Sequence, residues 1–201
     1  MFYRPSENDH GLPYNPFKAI VSPRPIGWIS TIGENGVANL APYSFFNALC
    51  DTPPMVMFAS TGQKPDQVKG KDSLSNIEAT SEFAVNIVSY TLRDKMNASA
   101  ASFPADVDEF EAAGLTKAAG SAIKAPHVAE APAVLECKLF KMIDLPGASN
   151  TMVIGEVVGV HMKDDFIVNG QFDVTRYKPL SRLGYMDYAA VENVFSIQKP
   201  A

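Results

Sequence analysis

Cysteine is scarce in this chain. Only Cys50 and Cys137 occur among 201 residues, with no CxxC pair and no Cys/His cluster. That excludes a zinc ribbon and a disulfide framework, and it fits a reducing compartment. Basic charge is also in short supply: 17 Lys and Arg stand against 22 Asp and Glu, a net charge of −5. Such a chain presents no basic face to nucleic acid, so an anionic ligand must be held by a few local donors. No apolar run approaches the ~20 residues that span a bilayer. The first ten residues carry two acids, Glu7 and Asp9, and no apolar segment, unlike a secretory signal. These absences predict a cytoplasmic protein with neither a membrane nor a nucleic-acid partner.

Standard catalytic signatures are missing as well. There is no GxSxG, no HExxH and no P-loop, and no glycine-rich fingerprint follows a strand. His10, His127 and His161 lack metal-ligand spacing and read as surface or locally bonded histidines; no metal site is expected. The acids are scattered, and none forms a glycosidase-like pair. No catalytic side chain is assigned.

What is present is a β-rich globular pattern. Hydrophobic residues make up 46% and charged residues 19%, which argues against long disorder and for one domain over residues 1–201. Strands are expected at 26–32 and 37–43, joined by Gly33-Glu34-Asn35-Gly36, whose Asn-Gly pair supplies the positive φ of a tight hairpin. An apolar strand follows at 55–59, and Gly62 and Pro65 mark a loop. Residues 83–88 alternate, placing Phe83, Val85 and Ile87 on one face. Two long strands, 133–144 and 151–163, flank the turn at 145–150, with weaker strand signals at 166–174 and 194–197. Helices are expected from Asp72 or Ser73 to Thr80, over 91–101, and near 108–113. Many strands, few short helices and no βαβ repeat predict an all-β barrel with helical additions.

Two stretches carry candidate binding chemistry. In 39–48, Pro42 cannot donate to a ladder, so a strand should leave its sheet there and free backbone groups, with Ser44 and Asn47 beside them. That suits a flat, polar-edged heterocycle; a self-satisfied turn is the alternative. In 71–77, Ser73 and the first helix amides can face a phosphate, with Asn76 close by and Lys71 and Lys64 as cations. Asp72 would repel a phosphate directly beside it and fits an N-cap better. A capped surface helix is the alternative reading here.

Together these segments resemble the flavin reductase-like family, the FMN-binding split barrels. The resemblance is carried by Ser22-Pro23-Arg24-Pro25-Ile26-Gly27-Trp28-Ile29-Ser30-Thr31, Asn39-Leu40-Ala41-Pro42-Tyr43-Ser44-Phe45-Phe46-Asn47, Pro53-Pro54-Met55-Val56-Met57-Phe58 and Lys71-Asp72-Ser73-Leu74-Ser75-Asn76-Ile77. Asn150-Thr151-Met152-Val153-Ile154-Gly155-Glu156-Val157-Val158 and Arg182-Leu183-Gly184-Tyr185-Met186-Asp187-Tyr188 follow in order, over roughly residues 18–197, leaving 1–17 as an extension.

The resemblance implies a six-stranded Greek-key split β-barrel, a homodimer, and FMN (in preference to FAD) in a groove near the subunit interface. It implies that the backbone of Ala41, Pro42, Tyr43 and Ser44 meets the isoalloxazine edge, that Thr31, Asn39 and Asn47 neighbour the ring or ribityl chain, and that Lys71, Ser73 and Asn76 grip the phosphate beside Ser60. The family often has threonine where Ser73 stands, and the hydroxyl is kept. NAD(P)H is then the hydride donor, and an unidentified acceptor or partner oxygenase receives the electrons. A flavoredoxin-type electron carrier and a flavin-free binding barrel are the rival readings. Arg24 and Arg182 fall in the same motifs, as ligand contacts or as pins for a loop or dimer. Tyr185 and Tyr188 border the nicotinamide site or cover the barrel end. Trp28 is expected in the core or an interface, and Cys50 as a small buried hydrophobe in preference to a redox thiol.

Overall fold

The computed structural model describes residues 1–62, 71–104 and 106–200; Lys64 and Pro65 lie outside them. Seven strands carry the fold: β1 Gly27–Ile32, β2 Ala38–Tyr43, β3 Phe46–Asp51, β4 Pro54–Ser60, β5 Glu82–Ile87, β6 Ala133–Leu145 and β7 Asn150–Met162. All pairings are antiparallel, in the spatial order β2-β1-β5-β6-β7-β4-β3. Three helices bear on the site: α1 Asp72–Thr80, α2 Arg93–Ala98 and α3 Glu109–Ala112. No described helix is long and apolar enough to cross a membrane.

Strands β2 and β3 are joined only by Ser44 and Phe45, yet they lie at opposite edges of the sheet. Laid flat, six interstrand steps would part the edges by about 29 Å. The three Cα steps from Tyr43 to Phe46 reach at most about 11 Å. The sheet must therefore roll. Beside the link, the Ala59 amide donates to the Phe45 carbonyl at 2.7 Å. No ladder pairs β2 with β3 among the described residues, so hydrogen-bonded strands do not close the roll.

Rolling gives two apolar clusters. One gathers Ile29, Phe58, Phe83, Val85 and Val153, sealed by Leu74 and Ile77 of α1. The Phe83 ring fills the space a side chain at Gly155 would need. The other gathers Trp28, Leu40, Ala84, Val88, Met96 and Phe110. Trp28 is fully buried there, and its indole N–H donates to Ser99 Oγ at 2.9 Å, as expected of a core anchor that needs one polar partner.

All six expected long strands are present; β3 is the seventh, so the expected count is corrected. It carries no alternating apolar signature, because it is an edge strand exposed from Asn47 to Asp51, Leu49 included. Its exposure overturns the expectation for Cys50, which is a surface thiol donating to the Pro53 carbonyl at 3.1 Å. Cys137 is the buried cysteine, and desolvation raises its thiol pKa.

Other differences are local. In the β1–β2 turn only Gly36 takes a positive φ, while Asn35 Oδ1 accepts from the Val37 amide at 3.0 Å. Ala84 and Asn86 are buried as deeply as Phe83 and Val85, because β5 has cover on both faces and shows no solvent side. The 166–174 stretch forms a small hairpin, Ile167–Val168 with Gln171–Phe172, around Asn169 and Gly170 at positive φ. Residues 194–197 form no strand and leave Val194, Phe195 and Ile197 exposed. The helix expected over 91–101 splits into a 3₁₀ turn, Tyr90–Leu92, and α2. The helix expected near 108–113 is α3, and Asp108 caps it, accepting from the Phe110 amide at 3.0 Å. Asp72 does not cap α1: Lys71 holds the N-cap position without a side-chain bond, and Asp72 is the first helical residue.

Candidate functional site

The edge strand β2 and the start of α1 form two sides of a cleft. Pro42 lies within β2, opposite Trp28, which an edge permits because its missing N–H would face away from the sheet. One cavity, of about 200 Å³, is lined by Asn39, Ala41, Pro42, Tyr43, Lys71 and Ser73, and residues 99–102 close it beyond α2. A second, of about 340 Å³, lies alongside and includes Asn76; Asn39, Asp72 and Glu109 are shared by both linings. Six of the expected binding residues thus line one cavity wall, and a seventh lines its neighbour.

The cleft wall is hydrogen-bonded from within. Ser73 Oγ donates to Asn39 Oδ1 at 2.6 Å, and Asn39 Nδ2 donates to Glu109 Oε2 at 2.6 Å. The Leu40 amide donates to the same carboxylate oxygen, also at 2.6 Å. Asn76 Nδ2 donates to Thr31 Oγ1 at 3.0 Å, so the fully buried Thr31 stands behind the wall rather than in it. Ser73 is only 1% exposed, and its proton is committed to Asn39. An anion here meets the first-turn amides of α1 and Lys71 more readily than the Ser73 hydroxyl.

Three groups give the cleft its electrostatics. The Lys71 ammonium stands over the Tyr43 ring, 5.3 Å from its centroid, and burial lowers its pKa. Burial also pushes the Tyr43 phenol up to about 12, against opposing contributions from Ser73 and Ser60 nearby. Among the described residues, neither the Tyr43 hydroxyl nor Ser60 Oγ, both buried, has a hydrogen bond of good geometry, and Ser60 itself lines neither cavity. Buried hydroxyls are normally paired, so this pair suits a polar ligand.

Not every expected residue is brought in. Ser44 is half-buried in the β2–β3 link and lines neither cavity. Asn47 is exposed on β3, its side-chain oxygen accepting from the Ala48 amide at 2.9 Å. Arg24 is buried and pins the chain before β1: its guanidinium donates to the carbonyls of Lys18, Val21 and Leu183. Arg182 braces its own loop through Tyr188 Oη and the Tyr185 carbonyl. Glu109 and residues 99–102 were not anticipated. The one available signal was the short helix expected near 108–113, which includes Glu109.

Comparison with known proteins agrees with this architecture. Residues 21–181 match the family model described as flavin reductase like domain. A protein of Aquifex aeolicus is 37% identical over 179 residues, 89% of either chain. One of Deinococcus radiodurans is 40% identical over 162 residues, 79% of this chain and 70% of its own. Among solved structures, nitrilotriacetate monooxygenase component B of Bacillus cereus superposes with a TM-score of 0.89 at 29% identity, covering 98% of both chains. The 2-nitrobenzoate 2-nitroreductase of Pseudomonas fluorescens gives 0.86 at 28% identity, covering 100% of this chain and 96% of its own.

Proposed function

The chain belongs to the flavin reductase-like family, and from that membership we propose that it is an FMN-dependent oxidoreductase that takes a hydride from NAD(P)H and passes the electrons on. The observation that carries the reading is the cleft itself. Asn39, Pro42, Tyr43, Lys71 and Ser73 converge there, beside two buried hydroxyls that lack good partners.

FMN, when bound, supplies hydride-accepting chemistry that no side chain here provides. The protein's own groups bind and orient. Lys71 and the α1 amides hold the phosphate, and the polar edge of β2 holds the ring. Tyr43 and Ser60 supply hydroxyls, and the high phenol pKa keeps Tyr43 a neutral donor. Asn39 is held in one orientation by Ser73 and Glu109, so it presents a fixed face to the ligand. The outward sides of β4 and β7 bear half-buried Met57 paired with Ile154, and Ala59 paired with Met152. A second copy of the chain would cover this apolar face, making a homodimer. The similarity to a monooxygenase component B supports an oxygenase as recipient of the electrons.

The test is spectroscopic. Purified protein should bind FMN with a perturbed oxidised-flavin spectrum, and anaerobic mixing with NADH or NADPH should bleach it. Bound flavin that neither nucleotide bleaches would favour a flavoredoxin-type carrier. Protein that FMN neither colours nor stabilises thermally would defeat the whole reading.

A further inference from the structure

A third cavity, of about 370 Å³, lies along α2 and shares no lining residue with the cleft. Met96 lines the cavity and Ser99 lines the cleft, and both are almost fully buried. The Ser99 hydroxyl donates to the Met96 carbonyl at 2.9 Å and accepts from the Trp28 indole. Packed, hydrogen-bonded chain therefore parts the two spaces. A ligand of this cavity is one that fits wholly within it.

The floor is apolar, from the buried Met96 and Leu180. Two cation–aromatic pairs complete the lining. The Arg93 guanidinium carbon stands 4.4 Å from the Tyr90 ring centroid, and that of Arg182 stands 4.4 Å from the Tyr188 ring. An apolar floor with a few polar groups is the make-up of a small-molecule site, and the volume falls in the usual range.

Charge favours an anion. Each guanidinium has N–H groups to spare. Arg93 uses one nitrogen on the Tyr90 carbonyl and another on Asp94, and Arg182 uses two on Tyr188 Oη and the Tyr185 carbonyl. Arg182 also faces Arg24 across a ladder of short strands, and like charges so placed are unfavourable. Among the described residues, no carboxylate pairs with Arg182 or Arg24. Asp94 is the one acid in the lining, and its side chain is 84% exposed, so it neutralises Arg93 only through solvent.

The floor selects among anions. An inorganic ion gains nothing from Met96 and Leu180 and would lose its hydration against them. A flat ring gains contact with the methionine sulfur and the apolar floor. A single carboxylate matches the planar guanidinium fork. We propose that this cavity is a second small-molecule site, for an aromatic carboxylate whose ring lies on Met96 and Leu180 and whose oxygens meet Arg93 and Arg182. The assignment does not depend on the flavin reading.

Benzoate is the probe, with benzamide to remove the charge and inorganic phosphate to remove the ring. By calorimetry on the full chain, benzoate should bind the wild type, and benzamide should bind about tenfold more weakly, the usual worth of a charged hydrogen bond. Arg93→Ala and Arg182→Ala should each weaken benzoate by a similar factor. Arg182→Lys should rescue only in part, because an ammonium cannot make the planar fork. Should Arg182→Ala loosen the loop it braces, the exposed Arg93→Ala decides. Saturating FMN or NAD(P)H should leave benzoate binding in place. Absent benzoate binding, phosphate bound as tightly as benzoate, unchanged affinity in Arg93→Ala, or displacement by either nucleotide overturns the inference. Failure of FMN to bind would instead sink the reductase reading and leave the benzoate result to stand by itself.

Discussion

Glu109 and Glu136 are both buried carboxylates that accept two backbone or amide donors at 2.6 Å, and they serve different ends. Glu136 stands in β6 opposite Gly159, where a side chain would crowd its carboxylate. It accepts from the amides of Ser121 and Ala122 and meets His161, whose ring tilts over His127 at 4.6 Å. Every partner is structural: a loop is tied to a sheet. Glu109 ties β2 to α3, but its partner Asn39 lines the cleft, and so does Glu109 itself. A buried charge surrounded by fixed amides stabilises a fold, whereas one that shares its partners with a cavity can also shape a ligand's surroundings.

Removing each acid should separate these roles. Glu136→Ala removes the buried carboxylate that ties the Ser121 and Ala122 amides to the sheet and is expected to cost about 2 kcal/mol. Urea midpoints would report that loss, with FMN affinity of the folded fraction unchanged. Glu109→Ala is expected to cost only about 1 kcal/mol of stability, because water in the cleft can reach the Asn39 and Leu40 donors it releases. Its larger effect should be on the ligand: Asn39 loses its orientation and FMN binds about tenfold more weakly, as a fluorescence titration would show. If instead Glu109→Ala unfolds the protein and leaves FMN affinity intact, the distinction fails.

A pH profile offers the finest comparison. Burial alone would raise the Glu136 pKa, but His161 and the Ser121 and Ala122 amides together hold it below the ordinary carboxylate value. A carboxyl with a lowered folded pKa contributes stability above its unfolded pKa and loses it as pH falls through the folded one. Stability should therefore decline on the acid side, and Glu136→Gln should flatten that part of the curve. An identical acid slope in both proteins would remove Glu136 from the account.

The long strands were legible because each is an apolar run bounded by turn residues, as with residues 133–144 and 151–163 around the turn at 145–150. β3 was not, since burial pattern is the signal and an exposed edge has little. Cys50 followed the same error, because its burial was argued from residue type without knowing that its strand lay at an edge. Within the cleft, the contributions of β2 and α1 were visible as two local motifs and a family pattern. Glu109 was not, because its bonds to Asn39 and Leu40 span some seventy positions, and no local periodicity encodes a contact at that range. Asn47 shows the converse: a residue placed by motif alone can point elsewhere once its strand is paired.

The Ser44–Phe45 tether also bears on engineering. Turns such as the one after β6 set only how a hairpin ends, and surface turns of that kind commonly accept added residues. The tether instead sets the sheet's circumference, and the cavity-lining residues Ala41, Pro42 and Tyr43 directly precede it. An insertion there would let the rims drift apart and carry one wall of the cleft with them, though no contact inside the cleft had been altered.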